Sequence, residues 1–251
     1  LEQCLVGEEV SFFALSDGAK VLPLASAQDH KAALDGDKGP NTGGMGCVSP
    51  ATNMNAETLK RILHEIVLPT ISGMASEGRP YEGILYCGLM ITSEGPQVLE
   101  YNVRFGDPEA QVMLPRLKTD LLPLMVEVAA GKLGQHKLEW SREPAVTVVL
   151  ASGGYPGHYE TGKPIQGLDK EKGVEIDPGL YAFHAGTKQE GGNLVTGGGR
   201  VLAVTGMGKN LKVAIERTYK AVSGIHFEGV HYRKDIGQKA LAHLSGGSST
   251  S

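Results

Sequence analysis

The segment Val98-Leu99-Glu100-Tyr101-Asn102-Val103-Arg104-Phe105-Gly106-Asp107-Pro108-Glu109 constrains this chain more than any other. Its first half favours a strand, because Val98, Tyr101 and Val103 suit a pleated, half-buried surface. Its second half reads as a helix start, with Asp107 as N-cap, Pro108 at the first helical position and Glu109 in an acidic first turn. Glu100 and Asn102 stand two residues apart. Alternate residues of a strand share a face, so a carboxylate and an amide oxygen can reach one hard cation. Arg104 falls on the same face by the same count. Mg²⁺ is commonly held by one or two protein oxygens, with phosphates and water completing its shell. Three such side chains are costly to bury unless they serve a charged ligand. An edge strand with a solvated polar face would show the same spacing, so the spacing alone leaves both readings open.

The chain has 251 residues, enough for one large or two modest domains. It is 41% hydrophobic and 21% charged with a net charge of −4, and it has no basic stripe. Nucleic acid is therefore not expected as its main partner. No apolar run reaches transmembrane length and no signal peptide is evident, so no membrane association is expected and a cytoplasmic location is. Cys4, Cys47 and Cys87 show neither metal spacing nor an even framework and read as reduced thiols. Its 35 glycines are about twice the usual share and point to turns and ligand-cradling loops. The sequence begins at Leu1, and Leu1-Glu2-Gln3-Cys4-Leu5 reads as the middle of a strand, which gives the expectation of a fragment.

Residues 1–29 read as hairpins. Val10 to Leu15 is a strand, Asp17-Gly18 a turn signal and Lys20 to Ala25 the return strand. Residues 28–50 show no periodicity, and a loop of that length is usually functional or disordered. In it Gly43, Gly44 and Gly46 allow backbone N–H groups to converge on an anion, with His30, Lys31 and Lys38 adding charge. A flexible surface loop is the plainer alternative. Asn55 to Met74 carries an apolar helical stripe that Pro69 should kink or end, with His64 structural or exposed. Ile84 to Met90 is a buried strand. Pro108 to Leu117 and Thr119 to Ala130 are helices, the second capped by Thr119, ended by Gly131, and buried through Leu121, Leu124, Met125 and Val128. The polar residues 131–143 mark a boundary. Beyond it, Ala145 to Ala151, Tyr181 to Gly186 and Arg200 to Thr205 are strands, and Asn210 to Ser223 is an amphipathic helix. Gly206-Met207-Gly208 sits where a dinucleotide loop would, without its third glycine or downstream acid.

Taken together and in this order, the motifs resemble the glycinamide ribonucleotide synthetase family of ATP-grasp ligases. The resemblance rests on Gln28-Asp29-His30-Lys31, Gly39-Pro40-Asn41-Thr42-Gly43-Gly44-Met45-Gly46, Tyr86-Cys87-Gly88-Leu89-Met90 and the run from Glu100 to Glu109. It continues through Gly153 to Gly157, Phe183 to Thr187, Gly198-Gly199-Arg200-Val201-Leu202 and Tyr232-Arg233-Lys234-Asp235-Ile236-Gly237.

The resemblance implies an α+β fold. Residues 1–140 would form the C-terminal lobe of an ATP-grasp unit, a mixed or antiparallel sheet with packed helices. Residues 141–240 would be a small α/β C-terminal domain, and 241–251 a flexible tail or linker. It implies ATP-dependent joining of glycine to 5-phosphoribosylamine through glycyl phosphate. Leu1 to Leu5 would be the hinge against adenine, with Glu2 and Leu5 at the adenine edge and Glu9 on the ribose hydroxyls. The family's N-terminal domain and lid lysine would then precede Leu1.

Glu100 and Asn102 would hold Mg²⁺ or Mn²⁺. Gly88 stands where other grasp ligases place a metal aspartate, so phosphates would complete the shell. Arg104 would stabilise the transferred phosphoryl group. Asn41, Thr42, Gly43 and Gly44 would cradle substrate, and Asp107 or Glu109 would hold the glycine ammonium. The expected partners are glycine, 5-phosphoribosylamine, the missing N-terminal part and, from the Ala240 to Leu244 extension, further purine-pathway domains downstream. The alternatives are another ATP-grasp carboxylate–amine ligase, or an inactive segment that binds only nucleotide or a partner domain.

Overall fold

The computed structural model describes residues 3–168 and 174–246. In chain order it contains β1 (Glu8–Asp17), β2 (Val21–Pro23), β3 (Gln28–Asp29), β4 (Ala32–Leu34), β5 (Lys38–Asn41), β6 (Gly46–Ser49), α1 (Ala56–Arg61), α2 (Leu68–Ser76), β7 (Glu82–Thr92) and β8 (Gly95–Asn102). These are followed by α3 (Glu109–Met113), α4 (Leu121–Ala129), β9 (Ala145–Ala151), β10 (Glu175–Asp177), β11 (Leu180–His184), β12 (Thr187–Glu190), β13 (Asn193–Thr196), β14 (Arg200–Met207), α5 (Leu211–Val222) and α6 (Gln238–Gly246). The protein is α+β with antiparallel sheets. It forms two compact units. The first takes the residues up to Gln28, Pro50–Gly106 and Leu117–Ser141; the second takes Asp29–Ser49, Asp107–Arg116 and the residues from Arg142 onward. Two stretches of the first 140 residues thus belong to the second unit.

The first unit is built on a four-stranded sheet in the order β2-β1-β7-β8. The Asp17-Gly18 turn forms as the sequence predicts, with Gly18 at φ 91° and Asp17 Oδ1 accepting the N–H groups of Ala19 and Lys20. One sheet face presents Phe12, Ala14, Leu85, Cys87 and Leu89 to Ile62, Ile66, Val67 and Ile71. Each large apolar side chain buried this way contributes about 1.5–3 kcal/mol.

The regular α-helix is interrupted just before Pro69: α1 passes into α2 through a π-helical turn, Ile62–Val67, in which the Leu68 N–H reaches the Leu63 carbonyl. Proline lacks an N–H and its ring crowds the carbonyl four residues back. A wider turn just before it accommodates both. His64 is exposed. The cap of α4 is Asp120, whose Oδ1 accepts the Leu122 N–H at 3.0 Å, and not Thr119. Thr119 Oγ1 accepts the Glu139 N–H instead. Gly131 follows the last turn at φ 63°, as expected. Leu124 and Val128 are buried. The strand expected near Leu5 does not form: residues 3–6 carry no regular structure and β1 opens at Glu8.

In the second unit the sheet order is β10-β11-β14-β9-β6-β3. Val146, Val148, Leu150, Val201, Leu202 and Val204 form its core with Leu211, Ala214, Ile215 and Val222 of α5. That helix is capped by Asn210 Oδ1, which accepts the Val213 N–H at 3.0 Å. The Gly206-Met207-Gly208 run has a packing role. A Cβ at Gly206 would lie 2.6 Å from Thr218 Oγ1, and one at Gly208 would lie 2.6 Å from the Ala214 nitrogen. These glycines let α5 approach β14.

The stretch 28–50, expected to be irregular, is mostly strand, from β3 to β6. The expected flexible tail is α6 as far as Gly246; the rest of it, 247–251, lies outside the described residues. Among the described residues no helix is long and apolar enough to cross a membrane.

Candidate metal face and substrate cradle

Register places the metal candidates in the first unit. Asn102 lies opposite Tyr86 and Glu100 opposite Gly88, while Tyr86 and Gly88 face Phe13 and Ser11 of β1. Alternation then puts Glu9, Ser11, Phe13, Tyr86, Gly88, Glu100 and Asn102 on one sheet face, away from the helix-packed core. Asn102 Nδ2 donates to Glu100 Oε1 at 3.2 Å, so the predicted pair is brought together. Gly88 makes the room: a Cβ there would sit 3.0 Å from Glu100 Cγ. Glu100 is exposed and Asn102 half-buried.

An all-oxygen pair in open solvent suits a hard divalent cation. Among the described residues no cluster of three or more His, Cys, Asp or Glu could hold a metal. Phosphate and water oxygens would therefore have to complete a shell here. Ser11 Oγ and the Tyr86 hydroxyl lie 3.1 Å apart, and Tyr86 packs edge-on against Phe13. Glu9 is exposed beside them. Leu5 is half-buried in irregular chain, and Glu2 lies outside the described residues. Arg104 departs from the expected alternation because β8 ends at Asn102; it is exposed, and its Nη1 donates to the Phe105 carbonyl at 3.0 Å.

The second unit carries the glycine loop, and its organising residue, Arg200, was not among those singled out from the sequence. Arg200 Nη1 donates to the Asp107 carbonyl at 2.7 Å and the Gly43 carbonyl at 2.9 Å, and Nη2 donates to Asp107 Oδ2 at 3.2 Å. Asp107 is not an N-cap. Its carboxylate takes Arg200 and Gln111 Nε2, and the cap position of α3 falls to Pro108 with no side-chain bond. Glu109 is buried at the start of α3.

The loop amides do not converge on an open anion site. The Gly43 N–H donates to the Tyr155 hydroxyl, the Gly44 N–H to Thr42 Oγ1 and the Met45 N–H to the His30 carbonyl. Close approach explains the glycines better: at Gly44, φ is 116° and a Cβ would meet Pro108 Cδ at 2.4 Å. Thr42 Oγ1 also donates to the Lys31 carbonyl, and Asn41 is exposed at the end of β5. The sequence signals for Arg200 are its place in the Gly198-Gly199-Arg200-Val201-Leu202 motif and its position as a cation directly after three glycines, at the first position of a strand.

The β4–β5 hairpin leading into this loop is held by Arg233, which is 1% exposed. Its Nε and Nη2 donate to Asp235 Oδ1 and Oδ2, both at 2.8 Å. Its Nη1 reaches Asp37 Oδ1 at 2.9 Å and the Ala32 carbonyl at 3.1 Å. Lys239 also pairs with Asp37, the Gly36 N–H donates to Asp235, and His231 Nε2 donates to the Ala33 carbonyl. Burial pushes the Asp235 carboxyl up, but Arg233 and the Gly36 N–H outweigh it and hold it down at about 2. His30 does not supply the charge expected of it. Burial, reinforced by Arg233, pushes its imidazole down to about 4, so it is neutral near pH 7.

The α+β fold with its antiparallel sheets is that of ATP-grasp proteins. Residues 1–110 match the ATP-grasp (A) domain of phosphoribosylglycinamide synthetase, and residues 145–239 match its C domain. The chain belongs to the phosphoribosylglycinamide synthetase family. It is 53% identical over 242 residues to phosphoribosylamine–glycine ligase of Rhizobium meliloti (strain 1021), a match covering 96% of this chain and 56% of the relative. It is 50% identical over 246 residues to the trifunctional purine biosynthetic protein adenosine-3 of Gallus gallus, covering 98% of this chain and 24% of that one. The crystal structure of phosphoribosylamine–glycine ligase from Thermotoga maritima matches with a TM-score of 0.81 and 38% identity, over 93% of this chain and 56% of that one. The chain thus spans about half the length of the single-function ligases it matches.

Proposed function

We propose that these residues serve the ATP-dependent joining of glycine to 5-phosphoribosylamine, with glycinamide ribonucleotide, ADP and phosphate as products. The pairing of Glu100 with Asn102 on an open strand face carries the reading. These two would hold Mg²⁺ or Mn²⁺, which when bound neutralises charge on the ATP phosphates. Leu5 and Glu9, with Glu2 from the family resemblance, bind the nucleotide. The glycine carboxylate attacks the γ-phosphorus, ADP leaves, and the amine of 5-phosphoribosylamine then displaces phosphate from glycyl phosphate. Arg104, an exposed cation two residues past Asn102, neutralises charge on the transferred phosphoryl group. Asn41, Thr42, Gly43 and Gly44 hold substrate. Asp107 or Glu109, at the start of α3, takes the glycine ammonium; the Asp107 carboxylate also accepts from Arg200 and Gln111. The reaction belongs to purine synthesis in the cytoplasm.

The test is Glu100→Gln, made in a polypeptide joining this sequence to the further length its relatives carry. ADP release with glycine and freshly made phosphoribosylamine should fall by about a hundredfold in kcat/KM. Mn²⁺ affinity of the 251-residue chain in the presence of ADP, read by electron paramagnetic resonance, should weaken in parallel. Unchanged kcat/KM and unchanged Mn²⁺ binding would sink the assignment. Isotope scrambling at the β,γ-bridge of ATP should require glycine but not the phosphoribosylamine.

A further inference from the structure

We propose that Arg200 is the positioning residue of the substrate cradle, fixing the Gly43–Gly44 turn against the Asp107–Pro108 turn; the word substrate here rests on the ligase reading above. Three observations carry it. First, one nitrogen, Nη1, has its two shortest bonds to carbonyls of different segments, Asp107 at 2.7 Å and Gly43 at 2.9 Å. A guanidinium makes such a bridge because its donors diverge in a rigid plane, whereas an ammonium is a point charge on a flexible stem. Second, the loop is shaped around this side chain. A Cβ on Gly43 would lie 3.0 Å from both Cζ and Nη2 of Arg200. Third, Arg200 Nη2 neutralises the Asp107 carboxylate, whose other partner is the uncharged Gln111 amide. Without Arg200, an uncompensated negative charge would stand beside the loop proposed to hold substrate. The hairpin stem is held independently by Arg233, so loss of Arg200 should free the turn without freeing the stem.

The experiment uses the 251-residue chain, with backbone amide exchange measured by nuclear magnetic resonance for wild type, Arg200→Met, Arg200→Lys and Asp107→Asn. Arg200→Met should speed exchange at Gly43 and Gly44 by about tenfold or more, because charge-assisted bonds are lost. The Gly36 amide, held by Asp235, should not change. Arg200→Lys should restore part of the protection, and it replaces Arg200→Met if that variant does not fold. Asp107→Asn should stay within about twofold of wild type, since the carbonyl bridge survives. Unchanged exchange at Gly43 and Gly44, or an equal rise at Gly36, overturns the proposal.

Ribose 5-phosphate is then titrated as the probe. Wild type should shift the Gly43 and Gly44 signals, Arg200→Met should bind about tenfold more weakly, and adding Asp107→Asn to it should recover part of the loss. Equal binding by wild type and Arg200→Met overturns the positioning role. No shift in wild type overturns the ligase reading of the loop, while the exchange data still decide the role of Arg200.

Discussion

Arg233 and Arg200 act on the same stretch of chain from opposite ends, in contrasting surroundings. Arg233 grips the stem of the β4–β5 hairpin from a site 1% exposed, against Asp37 and Asp235. Arg200 grips the glycine turn while 21% exposed, and its partner Asp107 is 52% exposed. Removing a buried cation leaves carboxylates without compensation in a poorly solvated place, whereas water takes over the partners of a half-exposed one. The stem is therefore specified by the fold, and the turn is adjustable at little cost.

The largest effect should come from Arg233→Met, which is expected to cost the second unit about 3–5 kcal/mol. Amide exchange of β9 and β14 measures it; the lone Trp140 belongs to the first unit and reports on the wrong region. If Arg200→Met cost as much, the contrast would collapse.

Acid should separate the components of the stem. His30 titrates lower folded than unfolded, so the unfolded chain binds its proton first and stability falls as pH drops from about 6.5 to about 4. The loss is about 3 kcal/mol. Asp235 contributes stability that is complete above its unfolded pKa near 3.8 and lost as pH falls through about 2. That second step is worth about 2 kcal/mol. Denaturant titrations across pH should show both steps, and His30→Gln should abolish the upper one alone.

Gly44→Ala tests whether sterics share control of the turn. A left-handed φ of 116° and the contact with Pro108 should together cost about 2 kcal/mol, seen as a lower denaturation midpoint. The smallest effect is that of Arg200→Met on global stability, about 1 kcal/mol or less and weaker still at high salt. A loss that survives molar salt would place Arg200 with Arg233.

Local chemistry made much of this legible in the sequence. The Asp17-Gly18 turn, the Glu100–Asn102 pair, the Gly131 terminator and the buried face of α5 each depend on neighbours a few residues away. What stayed hidden depends on distant ones. Lys38-Gly39-Pro40-Asn41 is a poor strand sequence and is fully exposed; its hairpin is held by side chains from the 231–239 segment. Asp107 has the composition of a helix cap, but Arg200 and Gln111 take its carboxylate. The π-helical turn before Pro69 was hidden too, because a proline announces a disturbance without saying which carbonyls will absorb it.

The interleaving of the two units has a consequence for the order of synthesis. The ribosome completes the first unit's residues at Ser141, after it has already made β6 and α3 of the second. Strand β6 pairs with β9, α3 packs on β6, β9 and β14, and Arg233 follows later still, after β14 and α5. Until then the glycine loop and its hairpin hang from the nascent chain without the partners that shape them. The residues that would meet substrate are thus translated well before the partners that give them their form.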